Sequence, residues 1–129
     1  MSRDAKVDLK WADGTHTFRL AWGGIIELQE KCDAGPHFIL NRLHDDSWHA
    51  EDISNVIRLG LIGGGMPPAA ALALVERYVE QRPLLESRDT ARAILFCALV
   101  GAPDEDETKK KSRRGTKTRP AAEGQNPDQ

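Results

Sequence analysis

The chain is short of the residues that usually announce chemistry. It has only two cysteines in 129 residues, Cys32 and Cys97, and each falls singly inside a predicted helix. Such a pair builds no disulfide framework and reads as two reduced, buried thiols. Neither a Cys-x-x-Cys nor a His-Glu-x-x-His pattern occurs, so the common zinc signatures are missing. No apolar run approaches the roughly 18 residues that a membrane span needs. Met1-Ser2-Arg3-Asp4 leads into no apolar stretch, so no secretory signal is expected and a cytoplasmic location follows. The final stretch, 102–129, contains no Leu, Ile, Val, Phe, Trp or Tyr. It cannot bury enough surface to offset its ordering entropy and is expected to be disordered.

A formal net charge of −2 conceals an uneven layout. Up to Gly101 there are 11 basic and 14 acidic side chains, a balance of −3; from Ala102 onward there are 7 and 6, a balance of +1. Within that tail Asp104 to Glu107 is an acidic block, and every basic residue lies between Lys109 and Arg119. Runs such as Lys109-Lys110-Lys111-Ser112-Arg113-Arg114 can bind phosphates by releasing counterions, and they are also common as solvated tails. No aromatic is interleaved for base stacking, so nucleic acid enters only as a possible tail ligand.

The folded part begins with two alternating runs. Val7, Leu9 and Trp11 alternate with Asp8 and Lys10; Phe18, Leu20 and Trp22 alternate with Arg19 and Ala21. Period-two alternation marks strands with one buried face. Asp13-Gly14 between them suits a hairpin turn whose central residues need positive φ. All six apolar residues are expected on one face, which a lone hairpin must cover with helices.

Helical spacing follows Gly23-Gly24: Ile25, Leu28 and Cys32 in a first helix, then Phe38, Ile39, Arg42 and Leu43 in a short second one opened by Pro36. A polar loop over His44 to His49 precedes a third helix. Glu51 and Asp52 open it, and Ile53, Val56, Ile57, Gly60 and Leu61 form its stripe. Gly63-Gly64-Gly65 ends it. Pro67-Pro68 opens a fourth helix with the stripe Ala71, Leu72, Val75, Tyr78 and Val79. Pro83 starts a fifth, with Leu84, Ala91, Ile94, Leu95, Ala98 and Leu99 inside and Gly101 at its end. The expected fold class is α+β: an N-terminal β-hairpin packed on a bundle of about five short helices, residues 1–101, followed by a disordered charged tail, residues 102–129.

Three constellations invite a chemical reading. His37, His44, Asp46 and His49 carry metal-capable side chains, but a loop supplies most of them at no recognised ligand spacing; they read as polar loop and cap residues. Ser47 with Asp46 and His49 makes no credible triad, because near-neighbours in a loop rarely place the His between the other two. Gly63-Gly64-Gly65 follows a helix and lacks the Gly-Lys-Ser/Thr of a phosphate loop, so it reads as an interhelix turn or a hinge. No catalytic, cofactor-binding or metal residue is assigned, no cofactor is expected, and the chain does not read as an enzyme.

Thr17-Phe18-Arg19-Leu20, Ile25-Ile26-Glu27-Leu28-Gln29-Glu30 and the stretch Ile53 to Gly65 resemble a known family. It comprises the small tail-assembly proteins of gene transfer agents and siphophage-like prophages, described both as tail assembly chaperone and as tail tube protein. The similarity covers about residues 5 to 101 and rests on apolar patterns plus glycines. It implies a chaperone made in the bacterial cytoplasm that keeps the tape measure protein soluble until tail tube subunits polymerise around it. The alternative it implies is a structural tube component, with hairpins paired edge to edge in a ring, located in the particle tail and self-associating. A nucleic-acid-associated regulator acting through the basic tail is a third class. The composition of the tail generates a test: a chain cut after Ala102 should keep its thermal midpoint within error, whereas a loss of several degrees would show that the tail packs on the domain.

Overall fold

A computed structural model of the chain describes residues 4–102. In order, these form strands β1 (Val7–Trp11) and β2 (Gly14–Phe18), then helices α1 (Trp22–Cys32), α2 (Pro36–Asp45), α3 (Ala50–Gly63), α4 (Pro68–Val75) and α5 (Leu85–Val100). A short π-helical segment, Glu76–Glu80, continues α4. The α+β class and the five helices agree with the sequence reading. The expected tail beyond Ala102 lies outside the described residues, and Ala102 itself is buried.

The hairpin is shifted from its expected position. Val7 pairs with Phe18, Leu9 with His16 and Trp11 with Gly14, so the second strand ends where the alternation suggested it began. The turn is centred on Ala12-Asp13, and its positive φ falls on Ala12, at 58°. Thr17 Oγ1 donates to Asp8 Oδ1 across the strands at 2.6 Å. The shift leaves Trp11, Phe18 and Leu20 in the core but moves Trp22 onto the first position of α1, where it is 77% exposed. Its expected burial is therefore wrong. Alternation from Phe18 to Trp22 ends at Leu20 because the chain has already turned into a helix.

The hub is α3 rather than the hairpin. It packs against β2, α1, α4 and α5, and its buried residues include Ile53, Val56, Ile57, Leu59, Gly60 and Leu61. A helix apolar on so many sides has to be central. Its C-terminal end lies directly on strand backbone. A Cβ built on Gly63 would stand 1.8 Å from the Arg19 carbonyl oxygen, and one on Gly64 would stand 2.1 Å from that of Thr17. Arg19 N–H donates to the Gly60 carbonyl at 2.9 Å. Of the three glycines read as a possible hinge, Gly63 and Gly64 are contact points where no side chain fits, and Gly65 takes a φ of 116° that favours glycine.

Other boundaries moved by small amounts. Helix α2 takes in His44 and Asp45, which the sequence reading placed in a loop, and leaves Phe38 exposed. It ends on Asp46 at φ 65°, as α1 ends on Asp33 at φ 52°. Both aspartates adopt the left-handed cap conformation that short polar side chains tolerate. The fourth stripe is really Ala71, Val75 and Val79, spaced by four, so Leu72 falls outside it and is 47% exposed. The π turn swings Tyr78 to within 6.0 Å of the Trp11 ring in an edge-on contact.

These burials set up a contrast. Phe18→Ala should cost roughly 3–5 kcal/mol, as a fully buried aromatic does. Trp22→Ala should change stability by no more than about 0.5 kcal/mol. Denaturant titration of the two variants measures both.

Candidate interaction surface

The residues with chemical potential are occupied structurally. His49 precedes α3, and its N–H donates to Asp52 Oδ2 at 2.8 Å. Asp52 is completely buried and receives a bidentate Arg42 guanidinium, with Nε at 3.0 Å from Oδ2 and Nη2 at 2.7 Å from Oδ1. Arg42 also lies 5.5 Å from the centre of the exposed Phe38 ring. The pair ties α2 to the start of α3. Sequence reasoning assigned Asp52 to the helix dipole and Arg42 to a helix face; nothing in their spacing announced the pairing.

Cys32, at the end of α1, sits against this network, its Sγ 3.8 Å from the Glu51 carbonyl. Burial and the neighbouring Asp52 carboxylate push its thiol up to about 12. Burial also raises the Cys97 thiol. Neither is poised to attack anything, because the nucleophile is the thiolate.

The histidine and serine candidates do not converge. Ser47 donates from Oγ to Asp45 Oδ1 at 2.6 Å, while Asp46 accepts from Trp48 Nε1 at 3.3 Å and forms an ion pair with Arg88 of α5. Among the described residues no group of three or more His, Cys, Asp or Glu could hold a metal ion. No described helix is long and apolar enough to cross a membrane. Near the hairpin turn, Trp11 Nε1 donates to buried Ser87 Oγ at 3.0 Å beside a small cavity of about 100 Å³. That space has room for only a few water molecules.

A larger concavity lies on the other side of α3. Helices α1 and α4 both pack on α3 and make no substantial contact with each other. Between them runs an open groove of about 560 Å³. Ser54, Asn55 and Arg58 of α3 form its floor, Glu27 and Lys31 one wall, and Ala69 and Leu72 the other. Arg58 Nη2 is held by Glu27 Oε2 at 3.1 Å, so that charge pair is internally balanced. Lys31 and Glu80, also on the lining, have no ion-pair partner among the described residues. One wall is apolar, while the floor and the other wall are polar.

The described residues thus form a two-stranded hairpin on a helical bundle with an open groove between α1 and α4. The family described as phage tail tube protein, GTA-gp10, matches residues 4–101. The chain belongs to that family. No curated protein and no solved structure matches it.

The buried charge pair generates a prediction here. Asp52→Ala leaves the Arg42 guanidinium, only 12% exposed, without its carboxylate. It should destabilise the fold by about 3 kcal/mol, the low end of the range for a broken buried pair. The same variant should let a thiol reagent reach Cys32 in the native state, whereas in the parent chain labelling should require unfolding. Denaturation curves and labelling rates check the two halves.

Proposed function

We propose that this chain is a non-enzymatic component of the tail of a gene-transfer-agent or prophage-like particle, built into the tail tube. The observation that carries this reading is the family match over residues 4–101. The reading places the protein in the bacterial cytoplasm during assembly and in the particle tail afterwards, with other tail proteins and further copies of itself as partners. Residues 102–129 are a charged appendage to the assembly domain in this reading.

A second reading has one specific observation in its favour. The groove between α1 and α4 has one apolar wall, with Ala69 and Leu72, on which the apolar stripe of a long helix would rest. A chaperone that covers the tape measure protein until the tube forms would use such a groove.

Mass spectrometry of purified particles, beside a pull-down from assembling cells, separates the two. A tube component should be stoichiometric in finished particles. Absence from particles together with capture of the tape measure protein in the cells would overturn the tube reading in favour of the chaperone.

A further inference from the structure

The charges of the folded domain and those of the basic run after it divide sharply. Among the described residues Arg42, Arg58, Arg82, Arg88 and Arg92 each lie against a carboxylate. Glu30, Asp33, Glu51, Glu76 and Glu80 have no basic partner among the same residues, and the balance up to Gly101 is −3. A surface of that sign repels a polyanion. Asp104 to Glu107 extends it with four carboxylates in a row.

The sign changes at Lys109. Seven cations and no acid occupy the 11 residues from there to Arg119. The run starts seven positions after Ala102, which is buried behind the helix end at Gly101. Seven residues reach at most about 25 Å, so the run is tethered to the domain with enough chain to clear its negative surface.

We propose that residues 109–119 bind double-stranded DNA without reading its sequence, and that residues 4–102 add nothing to the contact. Fully extended, such a run covers at most about 40 Å. A duplex presents one phosphate per roughly 1.7 Å of axis over that length, and each Lys or Arg that meets one releases a condensed counterion. Contacts of this kind carry no sequence information. The run contains no aromatic or large apolar side chain. It therefore has nothing to stack on the bases of a single strand and nothing to insert into a lipid surface. Asp104 to Glu107 competes for the same cations, but with four charges against the continuous array of a duplex. The contact goes beyond the tail-component reading and does not depend on it, since that reading rests on residues 4–101.

Fluorescence anisotropy of the full chain with a labelled duplex of about 20 base pairs, over a salt series, tests the contact. With four to seven cations engaged, log K should fall against log salt with a slope between about −3.6 and −6.3. Affinity should then drop at least about 50-fold between roughly 50 and 150 mM salt. Two duplexes of unrelated sequence should bind alike, and a single strand of the same length more weakly. A full-chain variant carrying Lys109→Gln, Lys110→Gln, Lys111→Gln, Arg113→Gln and Arg114→Gln should lose binding while its circular dichroism stays that of the parent. Lys6→Gln with Lys31→Gln, in the domain, should bind as the parent does. Absence of binding at about 50 mM salt, or a slope shallower than about −2, overturns the proposal. So does undiminished binding by the tail variant, or loss of binding in the domain variant. A single strand, or vesicles of mixed phosphatidylcholine and phosphatidylserine, bound as tightly as the duplex would also overturn it.

Discussion

Close approach of α3 to the strand backbone is the constraint on which the rest depends. Any side chain at Gly63 or Gly64 would collide with the carbonyls of Arg19 and Thr17, and neither carbonyl can move without breaking the hairpin's run into α1. The Arg19 N–H bonded to the Gly60 carbonyl fixes the same crossing from the polar side. With α3 seated this way, Gly60 also lets Ile94 and Phe18 approach, bringing α5 and the hairpin to one core. Backbone-to-backbone contact is unforgiving in a way that side-chain packing is not, because no rotamer can relieve it.

From that crossing the other elements take their places. Helix α5 covers the hairpin through Trp11 and Ser87, and the T-shaped ring contacts of Trp11 with Phe18 and Tyr78 close that end. Helix α2 is drawn in by charge as well as by Ile39, Leu40 and Leu43. The Arg42–Asp52 pair is worth little as net stability, since both groups lose hydration on burial. Its geometric value is greater: a bidentate guanidinium has one good orientation on a carboxylate, which aligns α2 with the first turn of α3. Burial, with the same carboxylate beside it, raises the Cys32 thiol.

Because α3 is the hub, its remaining side becomes a groove. Helices α1 and α4 flank it, and the residues between them are too polar to be core and too enclosed to be ordinary surface. The exposed Leu72 belongs to this geometry, as does the exposed face of α5 ending in Phe96, Leu99 and Val100. Exposed apolar side chains are informative where they form a contiguous patch and ordinary where they stand singly. In a family of phage tail proteins, such surfaces fit a role in assembly better than one in chemistry.

The sequence by itself determined the α+β class, the number and order of the helices, and most of the core. Period-3.6 stripes such as Ile53, Val56, Ile57 and Leu61, with prolines and glycines at their ends, depend only on local geometry. The family resemblance was legible for the same reason, since it rests on those patterns. Only the tertiary structure decided what the patterns leave degenerate. Period two could not say where β2 yields to α1, so Trp22 was assigned to the wrong environment. A run of glycines is silent about whether it bends freely or makes room for a neighbour; contact with Thr17 and Arg19 answered that. The groove, the α5 face and the Arg42–Asp52 pair are relations between residues distant along the chain. Local propensity carries no information about such distances, and packing around α3 sets them.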